Sequence, residues 1–349
     1  MTKKGTSKEN IRLLDFIIET REHDLFKSRK IKDIASSFDS PKNVERNLRR
    51  MVKNRIGKVS ASINHRKLNI ITALVLIKTV QPSYNKLFFE HVSKIPFVEN
   101  VTQVVGGEAT HIITIKVPTL ELIGRTVEKI RGEFLGSKEA EGMKNWIEWT
   151  TTKIIYEYAL DQKFLYNTIY DKDFSTSLNE KTIKIDCKDF KLLGLLGDNA
   201  LIPLKEIGKK LGLEAPTVLR RIRMLEKSGV INGYYCKHFW GHIPFEIQPL
   251  TLYLFIRYKG AIPSISNFVK NISTLKKAYV TDIYYLHGEA DLSIMFRVKS
   301  VSDFQHFLNS KIMSSENIAQ TKIYTVTNFM HRSVLNDFAD WAEEKESNI

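Results

Sequence analysis

KEIGKKLGLEAPTVLRRIRMLEKSGVINGYY, residues 205–235 of a 349-residue chain, holds two helix signals in close succession. Pro203 opens a short helix carrying Leu204 and Ile207, and Gly212 stops it, because glycine takes the left-handed conformation of a helix end without strain. A longer helix follows from about Ala215 to Ser228, turning Val218, Leu219, Ile222 and Leu225 inward and ending at Gly229. Upstream, Asp186 is placed to cap a helix bearing Phe190, Leu192, Leu193 and Leu196. Downstream, TLYLFIRY (251–258) has the β-branched and aromatic content of a strand. Three short helices followed by β structure is the order of a winged helix-turn-helix.

The same succession occurs near the start of the chain. Ser7 precedes an apolar pattern through Ile11, Leu14, Ile17 and Ile18, and a second helix carries Ile31, Ile34 and Ala35. Ser40 and Pro41 supply an N-cap and a proline at the first helical position of a third helix, with Val44, Leu48, Met51 and Val52 on one face and Gly57 at its end. A basic, hairpin-like stretch (58–67) and the apolar run TALVLIKTV (72–80) follow.

Beyond each winged portion the elements read strand, helix, strand, strand, helix, strand, the ferredoxin-like βαββαβ order. In the first stretch the strands are 72–80, 98–105, 111–117 and roughly 145–156, with helices marked by Leu87, Phe88 and Val92 and by Leu122, Val127 and Ile130. In the second they are 250–258, 278–286, 292–298 and roughly 318–329, with helices marked by Ile265, Phe268 and Val269 and by Phe304, Phe307 and Leu308. Gly107-Glu108-Ala109 and Gly288-Glu289-Ala290 occupy the same hairpin, 181 residues apart.

The sequence therefore predicts an α+β chain of two tandem units, each a winged helix-turn-helix followed by a ferredoxin-like domain. The boundaries are 7–68 and 69–157 for the first unit, 158–185 for a linker, and 186–248 and 249–331 for the second unit. A C-terminal helix within 332–349 is expected to dock through Val334, Leu335, Phe338 and Trp341.

Charge becomes interpretable on the third helices. At 100° per residue, with Val218 at zero, Ile222 and Leu225 lie within about 40° and form the buried stripe. Arg220, Arg223 and Lys227 then fall at about 200°, 140° and 180°. With Val44 at zero, Arg46, Arg49 and Lys53 take the same three angles, each 174 positions before its counterpart. Guanidinium groups bind phosphates or take guanine O6 and N7 in a bidentate bond, so this face is suited to duplex DNA. Thr217 and Arg221 flank one face, and Asn43, Asn47 and Arg50 the other, so the two helices are expected to read different bases.

Residues 205–235 closely resemble the DNA-binding region of the Lrp/AsnC transcription regulators. The hairpin YYLHGEADLSIMFRV (284–298) is similar to that family's Gly-x-x-Asp sensing segment, matching at Gly288 and Asp291. The resemblance spans 186–331 and, more weakly, 7–156. It implies a sequence-specific DNA-binding regulator that oligomerises through its β-rich domains, with an amino-acid-like effector met by Gly288, Glu289 and Asp291. Two departures stand out: the position matching Asp291 in the first stretch is Thr110, and Glu214 stands where Ser or Thr would cap the helix better.

Composition supports a polyanionic partner. Fifty-three Lys and Arg against thirty-nine Asp and Glu leave a net charge of +14. Two cysteines, Cys187 and Cys236, make no disulfide framework, and no apolar run reaches the roughly 20 residues of a membrane span, so a cytoplasmic, non-membrane protein is expected. No P-loop, Gly-x-Gly-x-x-Gly, His-Glu-x-x-His or Gly-x-Ser-x-Gly occurs, and neither enzyme activity nor a cofactor or metal is expected. Cys236, His238 and His242 lack an evident fourth ligand. The alternative is a tetrapyrrole enzyme of the siroheme decarboxylase type, which resembles this architecture and depends on histidines in its β-rich domains; His111 and His287 lie near the two central hairpins, but the expected Tyr-Arg-Glu-His hairpin signature is absent.

Overall fold

The computed structural model describes residues 26–36, 40–54, 57–79, 85–132, 147–155, 183, 185–238, 250–260, 278–286, 290–298, 300–313 and 317–347. The helix expected at 7–18, nearly all of the linker, the helix around 265–269, and His242, His287, Gly288 and Glu289 lie outside them. The described residues divide by module type rather than by position along the chain. One unit gathers described residues up to Asn64 together with 192–238, and the other holds the remaining β-rich segments.

In the first unit, helices α1 (Ile31–Ala35) and α2 (Pro41–Lys53) pack together and lead to strand β1 (Gly57–Ile63). Helices α6 (Leu204–Leu211) and α7 (Ala215–Lys227) pack together and lead to strand β6 (Ile231–His238). Gly212 closes α6 at φ 62°, as its position in the sequence predicts. The turn is tight at Gly208, where a Cβ would stand 2.3 Å from the Leu213 carbonyl oxygen. Pro41 is the first residue of α2, whereas Ser40 makes no side-chain cap bond.

The stretch after α2 is not a hairpin. β1 is a single strand paired antiparallel with β6, and the two form a sheet of their own. Residues 58–67 contain no glycine or proline to reverse the chain, so the strand takes its partner from the other wing.

The second unit is an eight-stranded sheet. Its strands are β2 (Ile71–Thr79), β3 (Val98–Val105), β4 (His111–Val117), β5 (Ile147–Ile155), β7 (Leu250–Tyr258), β8 (Ala278–Tyr285), β9 (Leu292–Val298) and β10 (Ile318–His331). The order across the sheet is β5-β2-β4-β3-β10-β7-β9-β8, and every pairing is antiparallel. Each set of four thus runs fourth, first, third, second, as a βαββαβ fold requires.

Helices α3 (Asn85–Val92) and α4 (Leu120–Gly132) cover one face of the first four strands. Helix α8 (Val301–Phe307) packs on β9, and Phe307 lies 5.2 Å from Phe296 between ring centroids. Strand β2 shows why its sequence is apolar without a break. Ala73, Val75 and Ile77 meet Phe88, Val92 and Ile123, while Leu74 and Leu76 join the opposite face with Tyr253, Phe255 and Tyr324. Alternate residues of a strand face opposite sides, so burial of both sides demands hydrophobicity at every position.

Helix α5 (Cys187–Asp198) is capped as expected: the Asp189 N–H donates to Asp186 Oδ1 at 2.8 Å. Helix α9 (Leu335–Ser347) docks through Val334, Leu335 and Phe338, with Phe338 5.7 Å from Phe190 and 5.5 Å from Phe97.

Candidate nucleic-acid interface

Helices α2 and α7 are each 13 residues long, and displacement by 174 residues carries Pro41 onto Ala215 and Lys53 onto Lys227. Val44, Leu48 and Met51 are buried on one, and Val218, Ile222 and Leu225 on the other. Arg46, Arg49, Lys53, Arg220, Arg223 and Lys227 are all exposed, while Asn47, Arg50, Thr217 and Arg221 lie half-buried on the flanks. The wheel computed from sequence therefore matches the observed exposure at all six cations.

Their neighbours differ. The Arg49 guanidinium donates to Glu45 Oε1 from Nε at 3.0 Å and from Nη2 at 2.7 Å, and Arg46 donates to Asn43 Oδ1 at 3.4 Å. On α7 the residue four before Arg223 is Leu219, which offers no carboxylate. An exposed i,i+4 pair is worth only about 0.3–0.5 kcal/mol, so a phosphate can displace Glu45 at small cost.

The strand ladder between the helices has a symmetry of its own. β1 pairs Val59 with Cys236, Ser60 with Tyr235, Ala61 with Tyr234 and Ser62 with Gly233. The displacement of 174 that superposes α2 on α7 turns the Val59–Cys236 pair into the Ser62–Gly233 pair, and the Ser60–Tyr235 pair into the Ala61–Tyr234 pair. An antiparallel ladder has local twofold axes perpendicular to its plane. Such an axis passes through a directly opposed pair, Ser60–Tyr235 or Ala61–Tyr234, and so relates residues 175 or 173 positions apart, one off the displacement that relates the helices. The register slips only at Ser62/Ile63. Each helix packs on its own strand: Met51 Sδ lies against Gly57, and the Tyr234 hydroxyl donates to Glu226 at 2.7 Å.

Of the effector candidates, Gly288 and Glu289 lie outside the described residues. Asp291 is tied into the sheet. Its Oδ2 accepts from the Tyr258 N–H at 2.8 Å, its own N–H donates to Ile256 at 2.9 Å, and its carbonyl accepts from Leu286 at 3.0 Å. Thr110 performs the same task in the other set of strands. Its Oγ1 accepts from the Thr79 N–H at 3.0 Å, its N–H donates to Ile77 at 2.8 Å, and its carbonyl accepts from Val104 at 2.8 Å. A carboxylate and a hydroxyl are interchangeable here because the bond needs only one acceptor. At the same hairpin Gly107 adopts φ +70°, where a Cβ would stand 2.6 Å from the Tyr324 ring.

Sequence reasoning missed one polar cluster. Within the sheet unit Lys116 Nζ lies 2.8 Å from Glu99 Oε1 and 3.1 Å from His65 Nδ1, with both charged side chains almost fully buried. The ammonium donates to Nδ1, which places the imidazole proton on Nε2. Burial of the ring first, and the Lys116 charge second, lower the His65 pKa to about 3. The available signal was a lysine inside the apolar strand HIITIKV.

His111 is fully buried, 4.5 Å from Phe88 between ring centroids, and its Nδ1 lies 3.0 Å from Thr110 Oγ1. Cys236 is buried, and no group of three or more potential metal ligands occurs among the described residues. Among those residues no helix is long and apolar enough to cross a membrane.

Comparison with known proteins bears on the second half of the chain. Residues 185–232 match the description of a winged helix-turn-helix DNA-binding module, and residues 252–334 that of the Lrp/AsnC ligand binding domain. A DNA-binding head followed by a ligand-binding βαββαβ module defines a class of regulator. These matches support an Lrp/AsnC-type regulator over residues 185–334.

It is 29% identical over 143 residues to an uncharacterised HTH-type transcriptional regulator of Pyrococcus furiosus, covering 41% of this chain and 90% of the relative. It is 25% identical over 136 residues to the leucine-responsive regulatory protein of Rhizobium meliloti, covering 39% and 85%. In chain path it is similar to the crystal structure of the siroheme decarboxylase NirDL, with a TM-score of 0.57 over 96% of this chain and 99% of that one, at 14% identity. That likeness speaks for the fold alone.

Proposed function

We propose that this chain is a transcription regulator that grips double-stranded DNA with α2 and α7 together, as a pseudo-dimer built into one polypeptide by tandem duplication. The observation that carries the reading is the pair of exposed Arg/Arg/Lys faces at matching positions of α2 and α7, two helices whose following strands pair with each other. The antiparallel pairing of β1 with β6 ties the two helix–strand arms into one unit, and one duplex meets both faces. The half-sites are inverted repeats with centres about 34 Å apart, one turn of duplex.

Arg46, Arg49, Lys53, Arg220, Arg223 and Lys227 bind phosphates and guanine edges, and Asn47, Arg50, Thr217 and Arg221 act at their flanks. The likeness to that family supports pairing of copies through the β-rich units into homo-oligomers, response to an amino-acid-like effector and a cytoplasmic, non-enzymatic role. The bonds made by Asp291 assign it first to holding the hairpin.

The test is a gel-shift titration at several salt concentrations on duplexes selected from a random library. Six to ten phosphate contacts lower affinity by about 10³–10⁵ between 50 and 200 mM salt. Salt-insensitive association, with a Soret-region absorbance after incubation with a tetrapyrrole, would instead favour chemistry of the siroheme decarboxylase type. The burial of His111 argues against a substrate contact at that residue.

A further inference from the structure

Within the DNA-reading unit one exposed side chain does not fit a phosphate-binding role. Six large apolar side chains stand exposed among the described residues, and Met224, 44% exposed, is the one that belongs to this unit. It lies at about 240° on the α7 wheel, between Arg220 at about 200° and Thr217 at about 260°, which puts it inside the cationic reading face and well away from the buried stripe. Its counterpart 174 positions earlier is Arg50, so α2 carries a cation at this place and α7 a thioether.

On the reading proposed above, we infer that Met224 is a specificity-determining residue that packs its thioether against the C5-methyl group of a thymine in the half-site of α7. In the major groove that methyl is the apolar feature that marks a T·A pair, and it is met by apolar side chains. Methionine is unbranched and polarisable, and it fits itself to such a contact without demanding a fixed geometry. An uncharged side chain amid arginines also contributes nothing to phosphate binding, so its effect falls on base preference and not on the salt slope. Arg50 at the matching position of α2 favours a hydrogen-bonding edge, guanine O6 and N7. The operator is then an inverted repeat whose halves differ at this column, with thymine on the α7 side and guanine on the α2 side.

The test uses the full chain and duplexes enriched from a random library, scored column by column. Deoxyuridine replaces thymine at the α7-side column, removing only the methyl group. Wild type should lose about fourfold in affinity, the worth of one buried methyl-sized group. Met224→Ala should bind the two duplexes equally and keep the wild-type salt slope. Met224→Arg should shift the enriched base at that column to guanine and make the two halves alike there. Identical bases at that column in the two halves with wild type, or equal affinity of wild type for the thymine and deoxyuridine duplexes, would overturn the assignment while leaving DNA reading intact. If no sequence is enriched and binding ignores salt, the DNA-reading proposal falls and takes Met224 with it.

Discussion

Helices α2 and α7 share length, buried stripe and cationic positions, yet the side chains between those positions have parted company. Glu45 pairs with Arg49 on one helix, whereas Leu219 stands at that place on the other. Arg50 faces Met224 across the comparison, and Asn47 faces Arg221. The same split recurs deeper in the molecule. Thr110 and Asp291 make one backbone bond with different chemistry, and Ser60 and Tyr234, 174 positions apart in the sequence, differ in size and in partner. What is held in common is position and backbone geometry; what differs is the group presented. The lesson is that scaffold equivalence and functional equivalence must be tested separately, pair by pair.

The largest effect is expected at the cations. Replacing Arg220 and Arg223 together with alanine should weaken binding to a selected duplex by about 1–3 kcal/mol for each arginine that meets a base, read by gel shift. Reversing the charge of Arg46, Arg49 and Lys53 should abolish protection of one half-site and spare the other. Unchanged binding by the Arg220/Arg223 variant would remove α7 from the reading role and break the equivalence.

The hairpin pair comes next. Asp291→Ala should cost about 1–3 kcal/mol in urea unfolding, because the Tyr258 N–H loses its acceptor. Asp291→Thr should restore most of that loss, as Thr110 shows that a hydroxyl serves. A threonine variant as unstable as the alanine variant would refute the interchange.

His65 gives a pH signature. Its pKa in the folded protein, about 3, lies below the ordinary value of 6.5, so the unfolded chain binds a proton that the native state refuses. Stability is therefore complete above pH 6.5 and falls as the pH drops toward 3, by up to about 1.4 kcal/mol per pH unit. Residual solvent contact at His65 makes the real slope gentler. His65→Gln should flatten this part of the profile between pH 6.5 and 4, measured by denaturant melts, and an unaltered slope would contradict the assignment.

The smallest effect belongs to the wing pair. Ser60 Oγ is buried without a hydrogen-bond partner, whereas the Tyr234 hydroxyl donates to Glu226. Ser60→Ala should leave stability unchanged or raise it slightly, and Tyr234→Phe should lower it by about 1 kcal/mol. The reverse ranking would show that the two positions do not differ as described.

Much of this was legible in the chain itself. Periodicity located α2, α6 and α7, and the strands β3, β4, β7 and β9 follow their apolar runs, because burial on one or both faces leaves a pattern that sequence retains. The exposure of the six cations also followed from the wheel. The wing did not, since residues 58–67 carry no signal of which strand they will pair with, and the paired residues lie 168 to 181 positions away. The joining of β3 to β10, and with it one eight-stranded sheet, was hidden for the same reason: long-range pairing is decided by tertiary packing. The bond from the Tyr258 N–H to Asp291 was not legible either, because a motif names residue types and not their hydrogen bonds. The cluster of Lys116, Glu99 and His65 joins residues 51 and 17 positions apart, which no local pattern reports.

The most direct measurement is a hydroxyl-radical footprint of the full chain on a selected duplex. Two protected patches, related by a dyad and centred about one helical turn apart, are expected, and charge reversal at Arg46, Arg49 and Lys53 should erase one of them. A single patch, or two patches in direct rather than inverted orientation, would contradict joint reading by α2 and α7.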